Sequence, residues 1–332
     1  MRFAIIGGGT MGRVHAEALG QIEGVTVVAF GAPEVAPATV ELATRLGAEV
    51  LPSAEEVLAR PDIDAVVVAT PTDTHCTLAV AAARAGKQIF CEKPLARTLE
   101  DGAAMLDAAA RAGVRLAVGQ VVRYFPEYAL ARELVVRGEL GTPGVARTTR
   151  GAGFPRVSGD WYADLARSGG VVLDMMIHDF DWLRWTLGPI DRLYARGLAS
   201  TRRADRDAAM AVLRFHSGAL GYVEGSWAYP GGFRTSLEIS GSAGLLRTTS
   251  KGTTPLQFEF FPTNGTDTRT PLPPGGIDRS PYLAQMRDVV RWFVGGPAPR
   301  CTAEEAFEAL RIALAALESV RTGRPAVLAG AA

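Results

Sequence analysis

"RFAIIGGGTMG", residues 2–12, is the stretch that decides the fold of this chain. A short apolar run predicts a buried strand, and three glycines follow it in the spacing G-x-G-x-x-G. In this motif Gly7 permits a tight turn, Gly9 lets the backbone approach a pyrophosphate, and Gly12 allows close packing of the next helix. The N–H groups at the start of that helix can bind the anion. The segment therefore predicts the beginning of a dinucleotide-binding domain.

The rest of the first 120 residues alternates short apolar runs with helical patterns. The runs are rich in β-branched residues and almost unbroken in hydrophobicity, as is typical of strands covered on both faces. Such strands are predicted at residues 2–7, 25–30, 48–53, 64–70, 87–92 and 115–120. Strand–helix alternation of this kind predicts an α/β Rossmann fold, a doubly wound parallel sheet.

The pattern changes after residue 120, and we predict a domain boundary there, with one domain over 1–120 and another over 121–332. Alternating segments between about residues 145 and 262 predict an open, mostly antiparallel sheet, so the second domain is of the α+β class. Helices are predicted at 126–138, around 171–182 and at 302–322, and a Pro/Gly-rich loop at 268–279.

Composition excludes several classes of protein. The chain has 332 residues, is 48% hydrophobic and 21% charged, and carries no formal net charge, which is typical of a globular protein that does not bind nucleic acid. No apolar run approaches the roughly 20 residues of a membrane span, and the four apolar residues near the start are too few for a signal peptide. Three cysteines without a C-x-x-C pattern indicate a reducing, cytoplasmic environment.

The segment "VVLDMMIHDFDW", residues 171–182, is mostly apolar yet holds one of the four histidines of the chain. On a helix Asp174 and His178 share one face, and Asp181 extends that face by a turn. A histidine titrates near neutral pH, so His178 is the candidate general base. Two alternatives stay open, a histidine paired with Asp174 inside the core and a metal site formed by the two carboxylates and the histidine. No other cluster of histidines or cysteines accompanies them in the sequence, and we predict no metal.

Lysine is rare in this chain, which has three lysines and 32 arginines. Because arginine serves wherever a generic positive charge is wanted, a retained lysine is informative. Lys93 stands between Glu92 and Pro94 at the end of a predicted strand, where its compact ammonium can hydrogen-bond a reacting oxygen. The alternative is a surface lysine at a strand end, which is how we interpret Lys87 and Lys251.

Two further motifs, "ATPTDTHC" at 69–76 and "CEKPLA" at 91–96, also follow predicted strands. Together with "GGVVLDMMIHDFD" at 169–181, they resemble the glucose-fructose oxidoreductase, inositol dehydrogenase and MocA family, inositol 2-dehydrogenases most of all. The E-K-P triplet and the D-x-x-x-H element are the most specific signs. The resemblance covers essentially the whole chain. It implies a nicotinamide-dependent dehydrogenase of sugars, inositols and related polyols, with a Rossmann domain followed by a substrate-binding and oligomerisation domain.

The resemblance also implies roles for individual residues. It makes Lys93, Asp174 and His178 catalytic, and it places Arg123 and Tyr282 in contact with substrate. The residues expected to bind the cofactor are Gly7, Gly9, Thr10, Met11, Gly12, Ala32, Thr70, Pro71, His75, Glu92, Lys93 and Gln120. From the residues alone, a helix cap is the alternative role for His75, and the cofactor role is favoured. His15 and His216 are interpreted as structural.

The choice between NAD and NADP rests on the loop after the second strand. The acidic residue that usually binds the ribose is replaced there by Ala32, and Glu34 is the nearest carboxylate. No arginine or lysine stands nearby in the sequence to neutralise a 2′-phosphate. Glu34 favours NAD, and NADP stays open.

Three functions remain open at this point. The first is a dehydrogenase of a polyol or sugar-like alcohol; the second is a non-catalytic dinucleotide sensor on the same fold. The third is a glycosidase-type enzyme that uses NAD for transient oxidation. An open sheet face is a liability unless it is covered, so we expect a homodimer or homotetramer through the sheet of the second domain.

Overall fold

A computed structural model describes most of the chain, namely residues 1–155, 158–198, 207–229, 232–250, 256–260 and 280–328. The chain divides into two compact units. The first comprises Met1–Tyr124 and Arg279–Phe307, and the second comprises Phe125–Asp278 and Glu308–Ala332. A stretch from near the end of the chain thus belongs with the N-terminal unit, whereas the sequence suggested a single division at residue 120. Most of the predicted Pro/Gly-rich loop lies outside the described residues.

The first unit contains a six-stranded parallel sheet, which confirms the predicted doubly wound fold. Its strands are β1 (Arg2–Ile6), β2 (Thr26–Gly31), β3 (Glu49–Leu51), β4 (Ala65–Val68), β5 (Gln88–Cys91) and β6 (Leu116–Val118). They lie in the order β3-β2-β1-β4-β5-β6, and every neighbouring pair is parallel. This order reverses between β1 and β4, and ligands bind at such a reversal, outside the carboxyl ends of the strands.

Helices connect these strands. They are α1 (Thr10–Leu19), α2 (Pro37–Leu46), α3 (Ala54–Leu58), α4 (His75–Arg84) and α5 (Leu99–Ala112). Local sequence sets their ends. For example, the Thr98 side chain accepts a hydrogen bond from the backbone N–H of Asp101 at the start of α5. Gly113 ends that helix in the left-handed conformation at φ 67°.

One more helix of the first unit comes from the far end of the chain. Helix α9 (Pro281–Phe293) packs on α1, and its buried face joins the core of the sheet. The rings of Phe3 and Phe293 stack there with centroids 6.3 Å apart. The core of the N-terminal sheet therefore includes residues that lie up to 290 positions away in the sequence.

The second unit contains an eight-stranded, mostly antiparallel sheet, as predicted. Its strands are β7 (Pro143–Gly151), β8 (Ile190–Gly197), β9 (Ala208–Phe215), β10 (Leu220–Ser226), β11 (Arg234–Gly241), β12 (Gly244–Thr249), β13 (Gln257–Phe260) and β14 (Ala326–Val327). The order is β13-β12-β11-β7-β10-β9-β8-β14, and β7 with β10 is the one parallel pair among the described strands of this sheet.

Among the helices of this unit, α8 (Ile177–Leu187) packs against β7 and β10 of the sheet. The other described helices are α6 (Pro126–Val136), α7 (Leu165–Ser168) and the later part of α10 (Ala303–Thr322). In β9 the side chains alternate between the two faces, so Ala211 and Leu213 are buried while Met210 and Val212 are about half exposed. No described helix is both long and apolar enough to cross a membrane.

Candidate active site

The glycine motif forms an open cradle at the start of α1. Gly7 has φ +113°, and a Cβ there would lie 2.3 Å from the carbonyl oxygen of Ala69. A Cβ at Gly12 would lie 2.1 Å from the carbonyl oxygen of Gly7, so neither glycine can carry a side chain. Gly9 caps the helix, and no described atom lies within 4 Å of its Cβ position. Backbone N–H groups face open space there, beside Thr10 and Met11, which fits a bound pyrophosphate.

The loop that follows β2 contains the residues that bear on cofactor choice. The backbone N–H of Ala32 donates to the carbonyl of Leu51, and Glu34 is exposed. The structure also brings a cation close, which sequence proximity did not reveal. The Arg13 guanidinium lies 3.2 Å from Thr39 Oγ1 and 3.4 Å from the carbonyl oxygen of Gly8. The loop itself contains no arginine or lysine, as its sequence shows, but Arg13 reaches the start of α2 from α1.

The segment after β4 is braced by a buried histidine. The His75 ring is 1% exposed, with Nδ1 2.8 Å from the carbonyl oxygen of Pro94 and Nε2 3.0 Å from that of Thr70. Burial lowers the pKa of His75. The first turn of α4 is not capped by this side chain, so the alternative role as a helix cap is wrong. His75 instead ties the Thr70–Pro71 segment to the E-K-P turn.

Lys93 follows a carboxylate that is engaged on both oxygens. Glu92 Oε1 lies 2.5 Å from His15 Nε2, and Glu92 Oε2 accepts the backbone N–H of Lys93 at 2.9 Å. Burial alone would raise the pKa of Glu92, but the hydrogen bond and charge of His15, together with Lys93, hold that pKa below its usual range. His15 was interpreted as structural, and its partner Glu92 could not be identified from sequence because 77 positions separate them.

Two polar residues follow β6. Gln120 is fully buried, and neither its amide oxygen nor its amide nitrogen has a hydrogen-bond partner among the described residues. An orphaned buried amide is rare and calls for a ligand or water, so Gln120 fits the expected cofactor role. Arg123 is also fully buried, but its guanidinium bonds Glu305 and the carbonyl of Arg300. That placement favours an anchor for residues 279–307 over contact with substrate.

The structure also places two other residues of the first unit, Tyr282 and Lys87, for which the sequence suggested a role. Tyr282, in the first turn of α9, lies edge-on to the His15 ring at 6.0 Å between centroids. Lys87 is buried, and its Nζ donates to the carbonyls of Arg60 and Ile63. The interpretation of Lys87 as a surface lysine is therefore wrong. Local sequence could not reveal its two partners, because they lie more than 20 positions away.

In the second unit, residues 171–183 are all buried except Asp174 and His178, which are partly exposed. Residues 172–176 form a π turn, with Asp174 at its centre and His178 in the first turn of α8. Such turns occur often at functional sites. Asp181, which was predicted to extend the same polar face, is only 1% exposed. His178 and Asp181 both lie within the regular helix α8.

Two buried carboxylates, which the sequence did not single out, hold this helix in place. Arg150 on β7 forms a two-pronged ion pair with Asp179, with Nε to Oδ2 at 2.8 Å and Nη2 to Oδ1 at 3.1 Å. Asp207 Oδ2 accepts the backbone N–H of Val171 at 2.7 Å, at the helix start. Gly225 on β10 lets the strand pack closely against this segment, because a Cβ there would lie 2.4 Å from Met176.

Arg150 lies on β7 and Asp207 directly before β9, and they are 29 and 36 positions from their partners on the helix. The one available signal was the run of aspartates itself, because a buried carboxylate requires a partner. No group of three or more His, Cys, Asp or Glu side chains is placed to bind a metal within the described ranges.

The fold and these residues define an NAD-binding oxidoreductase, and comparison with known proteins identifies the family. Residues 1–120 match the model of the GFO_IDH_MocA oxidoreductase family with its NAD-binding Rossmann fold, and residues 128–247 match its C-terminal domain. The chain belongs to this family, which confirms the resemblance seen in the sequence.

Named relatives align over nearly full length. The chain is 31% identical to myo-inositol 2-dehydrogenase of Thermotoga maritima, over 98% of this chain and 97% of the relative. It is 32% identical to scyllo-inositol 2-dehydrogenase (NAD(+)) of Bacillus subtilis, over 99% and 96%. Among solved structures, GenD2 from gentamicin A biosynthesis in complex with NAD superimposes with a TM-score of 0.87 at 29% identity, over 99% of this chain and 97% of that one.

Proposed function

We propose that this protein is an NAD-dependent dehydrogenase that oxidises a secondary alcohol of an inositol, a related polyol or a sugar-like substrate, or reduces the corresponding ketone. The observation that carries the proposal is the partial exposure of Asp174 and His178 on an otherwise buried helix, in a chain whose first unit offers an open glycine cradle. The inositol dehydrogenases among its relatives support the substrate class.

Each candidate residue has a distinct task in this reaction. Gly7, Gly9 and Gly12 hold the pyrophosphate of the cofactor, and NAD, when bound, accepts the hydride from the carbinol carbon. His178 takes the hydroxyl proton as general base. Lys93 donates a hydrogen bond to the reacting oxygen and stabilises the negative charge that develops there.

The remaining residues support these groups. We assign Asp174 the second polar position of the catalytic helix and Gln120 a hydrogen bond to the cofactor. Thr70, Pro71 and His75 shape the wall of the cofactor site, with His75 bracing it. We do not retain Arg123 as a substrate contact, because its guanidinium is buried and bonded. Tyr282 stays a proposed substrate contact on the resemblance alone.

A substrate panel tests the proposed function. Inositols, aldoses and sugar acids are incubated with the protein and NAD, and the absorbance of the reduced cofactor is followed. We expect net accumulation of reduced cofactor with at least one inositol or sugar. If NAD binds but no member of the panel is oxidised, the sensor alternative replaces the proposal. If a glycoside is hydrolysed without net reduction of NAD, the glycosidase alternative does so.

We predict a several-fold preference for NAD over NADP. The Glu34 carboxylate repels a 2′-phosphate, and Arg13 already hydrogen-bonds Thr39 and Gly8. Dissociation constants for both reduced cofactors, measured by fluorescence titration, check the prediction. Tighter binding of NADP would contradict it, and loss of that binding in Arg13→Gln would then identify Arg13 as the partner of the phosphate.

We further propose that the uncovered face of the eight-stranded sheet forms the contact of a homodimer or homotetramer. Met210, Val212 and Leu220 are each 48% exposed on its strands, and apolar side chains on an open sheet favour association. Light scattering in solution should give a mass of two or four chains, whereas a monomer would refute the proposal. We retain the cytoplasm as the proposed location, on the three free cysteines.

A further inference from the structure

The carboxylate that precedes Lys93 is buried together with a histidine. Glu92 is 7% exposed and His15 is not exposed at all. Burying ionisable groups costs free energy unless they are paired and hydrogen-bonded. A glutamate in the interior, one residue before the candidate catalytic lysine, therefore calls for a reason beyond packing.

The geometry of the pair supplies that reason. One carboxylate oxygen of Glu92 lies 2.5 Å from His15 Nε2, and the other accepts the backbone N–H of Lys93 at 2.9 Å. The carboxylate thus links a helix of the N-terminal motif to the backbone of Lys93. A Cβ at Gly119 would lie 3.1 Å from three atoms of this carboxyl group, so the backbone after β6 approaches it closely on that side.

The histidine is itself held by aromatic rings. The His15 ring lies edge-on to Phe90 at 4.8 Å and to Tyr282 at 6.0 Å between centroids. These neighbours come from β5 and α9, so His15 has little freedom to turn away from Glu92. Since both oxygens of Glu92 already have protein partners, its main task need not be contact with the cofactor ribose.

We propose that His15 and Glu92 are positioning residues for Lys93. His15 fixes the Glu92 carboxylate, and Glu92 fixes the backbone from which the Lys93 ammonium extends. Without the His15 donor, Glu92 becomes a buried carboxylate with an unpaired oxygen and must reorient or take up a proton. Lys93 then loses the restraint on its backbone. This inference rests on the role of Lys93 in the proposed function.

Matched variants of His15 separate positioning from packing. His15→Phe keeps an aromatic ring between Phe90 and Tyr282 but removes the donor, whereas His15→Gln keeps an N–H donor. We expect kcat to fall roughly tenfold in His15→Phe, less than the ~100-fold that a displacement of about 1 Å can cost. The dissociation constant for NAD should stay near that of the parent, and His15→Gln should recover most of kcat. His216→Phe, at an exposed histidine, is the control and should match the parent.

A second readout does not depend on catalysis. The chain has three lysines, so ε-13C-lysine labelling gives three side-chain NMR signals. Lys87, held by two carbonyls far from this pair, is an internal reference. The Lys93 signal should shift in His15→Phe and return in His15→Gln, while the Lys87 signal stays in place.

The two readouts keep this inference distinct from the proposed function. If no substrate is oxidised but the Lys93 signal responds as expected, the proposed function fails and the positioning role stands. If His15→Phe only lowers the melting temperature, with kcat and the Lys93 signal unchanged, the positioning role is overturned and the pair is purely structural. The positioning role is also overturned if His15→Gln fails to restore the kcat and the Lys93 signal that change in His15→Phe.

Discussion

His178→Asn is expected to lower turnover by roughly 10²–10⁴, the usual contribution of a positioned general base. Asparagine has a similar size and can hydrogen-bond, but it cannot accept a proton at neutral pH. The helix that carries the residue is secured by Arg150, Asp179 and Asp207. The variant should therefore fold like the parent.

Steady-state kinetics beside a cofactor titration measure the effect. The dissociation constant for NAD should change little, because the glycine cradle belongs to the other unit. His216→Asn, at an exposed histidine of the β9–β10 hairpin, is the matched control and should retain full turnover. Wild-type turnover in His178→Asn would remove His178 from the mechanism and leave it a structural partner of its helix.

Lys93→Arg is the second substitution with a large expected effect, although it keeps the charge. A guanidinium is planar and larger than an ammonium, and its rigid fork cannot serve as a point donor to one developing alkoxide. It also displaces substrate, and a shift of about 1 Å can cost on the order of 10²-fold in rate. We expect turnover to fall by about that factor.

Lys93→Met provides the comparison for this result, because it removes the charge altogether. If geometry matters as proposed, the arginine variant should be nearly as slow as the methionine variant in single-turnover measurements. Both should bind NAD with near-parental affinity. Turnover close to that of the parent in Lys93→Arg would limit Lys93 to a purely electrostatic or structural role.

Much of the fold follows from local patterns in the sequence. The strands of the parallel sheet are covered on both faces and so read as unbroken apolar runs, and the glycine motif marks the one turn that requires φ +113° at Gly7. Local patterns do not predict that α9 packs in the first unit. An amphipathic helix reveals which of its faces is buried, but not the sheet against which that face packs.

The residues of the candidate site are likewise predicted only in part from the sequence. Motifs single out Lys93 and His178, since each is an unusual residue in its local sequence. The pairs His15–Glu92 and Arg150–Asp179 join residues 77 and 29 positions apart, and residue spacing does not encode such contacts. The π turn at residues 172–176 does not follow from the sequence either, because its residue spacing predicts a regular α-helix there.

The proposed function requires both Lys93 and His178 to serve the same hydride transfer. Single-turnover oxidation by the parent, Lys93→Arg, His178→Asn and the double variant tests this requirement most directly. Groups that act as a unit give strongly non-additive losses. The double variant should therefore be slower than the slower single variant by less than about tenfold. A loss equal to the product of the two single losses would show that the residues act independently, and would contradict the requirement.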